Sequence, residues 1–112
     1  MAIYISNAFS LQMLGGLPSS IHVTSLTADE VVFEIGGGPW ISAVGHPDMA
    51  VVISNMLGRE VPHNRVNVTL HRGDFLYVAQ VMGGRLPEGC TELPPDIRIE
   101  WRRVFVEEEA EV

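Results

Sequence analysis

The chain has 112 residues, a mean hydropathy of +0.20 and 46% hydrophobic residues, which suits one compact domain around one core and leaves no room for two. Seven basic residues, all arginine, stand against 14 acidic ones, and the formal charge of −7 argues against coating long duplex nucleic acid, which depends on phosphate neutralisation. There is neither a membrane-length apolar run nor a secretory start, so the chain reads as cytoplasmic, and the single Cys90 offers no internal disulfide and no thiolate cluster for structural zinc.

Ala2 to Ser6 is apolar and rich in β-formers, as suits a strand near a sheet centre, and it breaks at Asn7. Ser10 to Leu14 fits one helical turn closed by Gly15 and Gly16. Ile21 and Val23 alternate with His22 and Thr24, a second strand over Ser20 to Leu26. Thr27 and Glu30 have capping-box spacing and open a short helix to Ile35, although Val31, Val32 and Phe33 equally suit a strand. Trp40 to Val44 reads as extended. Gly45-His46-Pro47-Asp48 then marks the clearest helix start, with proline at the first helical position, apolar residues at helical spacing from Met49 to Leu57, and Gly58 as the stop.

Val66, Val68 and Leu70 alternate with polar residues, Arg72-Gly73-Asp74 turns, and Phe75 to Met82 alternates again, which predicts an antiparallel hairpin. A glycine- and proline-rich loop, Gly83 to Pro95, leads to a last strand over Ile97 to Val106. Four of the acids, Glu107, Glu108, Glu109 and Glu111, crowd the end as a solvated tail. The expected fold is α/β (α+β): one domain over 1–106 with a mixed sheet of about five strands flanked by helices, then the acidic tail 107–112.

Most familiar chemistries find no motif. His22, His46, His63 and His71 lack metal-ligand spacing, no Gly-x-Ser-x-Gly elbow occurs, and Gly36-Gly37-Gly38 is followed by no Lys-Ser/Thr. Arg72-Gly73-Asp74 is a turn rather than an adhesion signal. The caps and loops hold more. His46 sits at the N-cap of the best helix, where outward amides favour anions, or it simply caps that helix. Arg85 and Glu88 lie in a loop seated on a strand end, as a functional pair or as a surface ion pair. Asn7 and Ser10 offer hydrogen bonds to a ligand or to local turn amides, and Arg65 and Gln80 flank the expected hairpin strands.

Asn7-Ala8-Phe9-Ser10-Leu11-Gln12-Met13-Leu14, Gly45-His46, Asn64-Arg65-Val66, Leu76-Tyr77-Val78-Ala79-Gln80 and Arg85-Leu86-Pro87-Glu88-Gly89 occur in that order over about Ile3 to Leu93. Together they resemble the ring nucleases typified by the viral type III anti-CRISPR proteins and their cellular homologues. The resemblance implies a homodimer that binds cyclic tetra-adenylate across its interface and cleaves it, without a metal or other cofactor, to linear di-adenylate bearing a 2′,3′-cyclic phosphate. It further implies His46 as general acid, Arg85 as phosphate ligand, Glu88 as support for the histidine, and Asn7, Ser10, Gln12, Arg65 and Gln80 as ligand contacts. Gln12 stands where the family also carries asparagine.

That chemistry suits these residue types. Ribose supplies its own nucleophile, the 2′-hydroxyl, so alignment, charge stabilisation and protonation of the leaving 5′-oxygen suffice. Two other function classes are weighed beside it: a nucleotide sponge or sensor that keeps the pocket without turnover, and a protein-interaction domain using Trp40 or the acidic end. Intact His46 and Arg85 favour the enzyme.

Overall fold

The computed structural model describes residues 1–108. Its elements are β1 (Ile3–Ser6), a 3-10 turn (Leu11–Met13), β2 (Ile21–Leu26), α1 (Ala28–Ile35), β3 (Ile41–Ala43), α2 (Pro47–Leu57), β4 (Phe75–Met82) and β5 (Arg98–Val106). The strands form one five-stranded sheet in the order β2-β5-β4-β1-β3. β1 runs parallel to both of its neighbours, β3 and β4, whereas β5 is antiparallel to β4 and to β2. This is the expected mixed α+β domain, with β1 in the sheet interior.

Local signals act where the sequence places them. Thr27 Oγ1 accepts from the Glu30 amide at 3.1 Å while the Glu30 carboxylate accepts from the Thr27 amide at 2.9 Å, closing the capping box on α1. The helix, not the strand, is therefore the outcome for Val31 to Phe33. α2 begins at Pro47 behind an N-cap at His46 and ends at Gly58, whose φ of +67° is the left-handed cap that glycine adopts without strain.

The expected hairpin is not formed. Residues 66–71 contribute only a bridge between Leu70 and Leu14, because both edges of β4 are already occupied, by β1 and by β5. The alternation there is real all the same: Val68 and Leu70 are buried and their polar neighbours are exposed, so the segment covers the sheet instead of extending it. The antiparallel pair is β4 with β5, joined by the long loop after Met82.

Two apolar layers result. α1 and α2 pack Val31, Ile35, Met49, Ala50 and Ile53 against Ile5, Tyr77, Ala79 and Trp101 on one face. On the other, Leu76, Val78, Val104 and Val106 are covered by Phe9, Met13, Leu14, Val68 and Leu70. Val104 and Val106 thus bury the side of the last strand on which Arg98, Glu100 and Arg102 also lie. At the chain end, the Glu107 amide donates to Ser20 O at 2.9 Å and its carboxylate meets His22 Nε2 at 2.7 Å, so pairing runs past Val106. Glu109 and Glu111, also assigned to the acidic tail, lie outside the described residues.

The Arg72-Gly73-Asp74 turn sets the register of the parallel strands. Asp74 is buried, and its carboxylate accepts from the Ala2 amide and from the His71 amide, each at 2.8 Å, while the Phe75 amide donates to Ala2 O at 2.9 Å. The start of β1 is thereby stapled beside the start of β4. Hydrogen bonds to a charged group contribute about 1.5–3 kcal/mol, and buried amides left without an acceptor are costly. Asp74→Ala is expected to lower unfolding stability by about 2–3 kcal/mol in urea titration, against about 0.5 kcal/mol or less for Glu60→Ala on the surface.

Candidate functional site

Three of the residues singled out in the sequence follow directly on the carboxyl ends of the adjacent parallel strands. Asn7 follows β1, His46 lies three residues past β3, and Arg85 lies three residues past β4. Because these strands are neighbours running the same way, their exit loops gather at one edge of the sheet, where open α/β sheets bind ligands.

The exit loops are tied together. Asn7 Oδ1 accepts from the Gly45 amide at 3.2 Å, linking the end of β1 to the residue before His46. Ser6 Oγ donates to Ala8 O at 2.9 Å and fastens the turn. Asn64 donates its side-chain amide to Ser42 O at 2.7 Å and its backbone amide to Val44 O at 2.8 Å. This seats Arg65 so closely that a side chain on Gly45 would meet Arg65 Cγ at 3.4 Å.

A hollow of about 650 Å³ opens at this edge, lined by Asn7, His46, Arg85 and Glu88 together with Met49 and Leu86. His46 Nδ1 accepts from the Met49 amide at 3.3 Å, so in this arrangement the ring keeps its proton on Nε2. Glu88 shares the hollow with His46 and Arg85, and among the described residues it makes no hydrogen bond or ion pair with either. The surface ion pair considered for Arg85 and Glu88 is therefore not formed.

A second hollow, of about 550 Å³, adjoins the first through Asn7 and Val81 and lies over the other sheet face, where Val23, Val78, Gln80, Arg102 and Val104 line it. Gln80 stands opposite Glu100 in register. Glu100 takes hydrogen bonds from Arg102 Nη2 at 2.6 Å and Arg98 Nε at 2.9 Å, and these, Arg102 first, hold its carboxyl below the usual range. Ser10 and Gln12 line neither hollow: Ser10 precedes the 3-10 turn without a side-chain cap bond, and Gln12 is exposed on it. Arg65 stands beside Gly45 and outside both linings.

The family model described as STIV B116-like matches residues 3–99. The chain belongs to the STIV B116-like family. Within reach of that family, Uncharacterized protein 26 of Sulfolobus islandicus filamentous virus (isolate Iceland/Hveragerdi) is 34% identical over 87 residues, covering 78% of this chain and 73% of that protein. B116 of Sulfolobus turreted icosahedral virus shares the fold, with a TM-score of 0.77 and 24% identity over 94% of this chain and 99% of its own. The mixed five-stranded sheet with two helices is thus the B116 architecture, and both relatives come from viruses named for Sulfolobus.

Sequence reading of this STIV B116-like chain passed over Arg102, placed on the polar side of the last strand, and Asp48, taken only as a helix-start residue. Nothing local marks Arg102 as part of a cavity, since only the β4–β5 pairing brings it beside Gln80. No helix of the described residues is long and apolar enough to cross a membrane, and they assemble no group of three or more His, Cys, Asp or Glu side chains fit for a metal.

The loop bearing Arg85 and Glu88 is pinched at its base. Gly83 has φ of +92°, and a Cβ there would stand 2.2 Å from the Asp96 carbonyl oxygen. Gly83→Ala therefore has to move the loop root, combining a steric clash with a left-handed backbone unsuited to alanine. The expected outcome is a loss of about 2 kcal/mol or more in stability, with increased protease cleavage between residues 84 and 95, whereas Gly37→Ala, which meets nothing within 4 Å, leaves both near wild type.

Proposed function

We propose that this STIV B116-like protein is a ring nuclease that cleaves cyclic tetra-adenylate to linear di-adenylate with a 2′,3′-cyclic phosphate, silencing or evading type III CRISPR signalling in the cytoplasm of an infected host. The observation that carries the reading is the convergence of Asn7, His46, Arg85 and Glu88 in one hollow at the carboxyl edge of the parallel strands. Those residues come from three separate pieces of the motif pattern, and a common cavity is what a shared ligand requires.

The chemistry runs on the substrate's own nucleophile. The 2′-oxygen bonds to phosphorus as the P–O5′ bond breaks, its hydroxyl proton leaves to water, and the proton on His46 Nε2 passes to the departing 5′-oxygen. Arg85 offers a planar fork to the phosphate oxygens and stabilises their charge. For His46 to give up a proton as imidazolium, Nδ1 must also be protonated and so must release the Met49 amide. Glu88 lines the same hollow, where the resemblance casts it as support for the histidine.

A hollow of about 650 Å³ is in the range of about 300–1,000 Å³ that takes a drug-sized ligand. A ring of four nucleotides is larger, and its two-fold symmetry suits two such hollows facing each other in a homodimer. Binding without turnover is the second reading, and one observation favours it: the bond from the Met49 amide spends His46 Nδ1 on capping a helix.

Incubation with cyclic tetra-adenylate in EDTA, followed by product identification, decides between turnover and mere binding. His46→Ala is expected to retain binding and lose about 10²-fold or more in single-turnover rate, and Arg85→Ala to lose binding and cleavage together. Glu88→Gln should slow cleavage less than His46→Ala does. Unchanged cleavage by His46→Ala removes the acid from the mechanism. No binding by the wild type removes the function, and a rise in melting temperature with the ring supports it.

Sedimentation is expected to show a homodimer. A species that stays monomeric with ligand bound overturns the shared site.

A further inference from the structure

The loop that carries Arg85 and Glu88 is held at three places. Gly83 pinches its base against Asp96, Leu86 packs on the larger core cluster, and the turn after Glu88 is gripped from α2. In that third contact, Asp48 Oδ2 accepts from the Gly89 amide at 2.7 Å, across 41 positions of sequence. The gripped turn has its own shape, with Cys90 donating its amide to Pro87 O at 3.0 Å and Gly89 at φ of +80°.

Asp48 stands two residues after His46, in the first turn of a helix whose inner side, Met49, Ala50, Val52 and Ile53, is buried. The helix that carries Asp48 is therefore anchored in the core, while the bond itself is exposed and its other end sits on the residue next to Glu88. The first two contacts set the loop against the segment before β5 and on the core. Among the described hydrogen bonds, the Asp48 bond is the one that joins this turn to the helix bearing His46.

We propose that Asp48 is a positioning residue that latches the 83–90 loop to the N-terminus of α2, holding Arg85 and Glu88 in the hollow with His46 before a ligand arrives. The inference rests on the proposed function for its ligand but on geometry alone for the latch. Unlatched, the loop has to be ordered at the expense of binding, so apparent affinity falls by the fraction of molecules in the competent state while the rate of the bound complex is kept.

The experiment compares Asp48→Ala with Asp48→Asn, which keeps an acceptor oxygen and loses the charge. In the ligand-free protein, the Gly89 amide is expected to exchange with solvent about five-fold or more faster in Asp48→Ala and within about two-fold of wild type in Asp48→Asn. With cyclic tetra-adenylate, Asp48→Ala should weaken binding about five-fold or more and leave the saturating single-turnover rate within about two-fold, and Asp48→Asn should restore the affinity.

Gly89 exchange unchanged in Asp48→Ala overturns the latch. So does an Asp48→Asn variant as impaired as Asp48→Ala, since that pattern belongs to a charge at the helix start rather than to a hydrogen bond. If the wild type neither binds nor cleaves the ring, the ligand reading fails and the exchange measurement alone decides the latch.

Discussion

The register of β1 beside β4 is the constraint on which the rest of the site depends. A parallel pair has no tight turn to align it, so its register must come from a distant contact. Here that contact is Asp74, whose carboxylate holds the Ala2 and His71 amides at once while Phe75 returns a bond to Ala2. A sequence pattern that reads as a surface turn thus aligns Ile3 with Phe75 and Ser6 with Val78. With β1 so placed and β3 on its other side, Asn7, His46 and Arg85 emerge at the same edge. A slip of one residue would also turn the Ile5 side of β1 away from the helices.

The sheet's two faces have been given different work. The helix face is closed by α1 and α2 and carries one polar network, in which Glu34 accepts from Tyr77 at 3.0 Å and from Arg103 at 2.7 Å. Burial first, and then the bond to Glu34, push the Tyr77 phenol above its ordinary range, while the same carboxylate raises the Arg103 guanidinium. Both groups thus keep their protons and remain donors, and Glu34 fastens α1 to β4 and β5. The opposite face is covered over Leu76 and Val106 and open over Gln80 and Arg102. That open half continues the first hollow through Asn7 and Val81, so the candidate site wraps around the sheet edge.

On the proposed function, His46 has two roles that compete for one atom. Its Nδ1 finishes the helix by accepting from Met49, and in the proposed reaction the same nitrogen must hold a proton for Nε2 to give one up. A serine or aspartate would cap α2 without this conflict. Imidazole at this position is intelligible if the ring has a second task, and the neighbouring loop brings Glu88 into the hollow where such a task would need it.

Local chemistry was legible in the residues themselves. Thr27 with Glu30, His46 with Pro47, and Gly58 act within a few positions through hydrogen bonds and backbone freedom, so their outcomes follow from the sequence around them. The mixed sheet of about five strands is the one observed, but residues 66–71 also alternate as a strand does, and only the competition for the edges of β4 turned them into a cover. The family pattern marked His46, Arg85, Glu88 and Asn7, which the fold brings into one hollow, and Gln80, which lines the adjoining one; it also marked Ser10, Gln12 and Arg65, which line neither. Arg102 in the second hollow and the Asp48–Gly89 bond belong to the tertiary structure alone. Each depends on pairing between segments far apart in the chain, where the energy of a contact is decided by which neighbours have already taken the available strand edges and faces, and no short stretch of sequence contains that information.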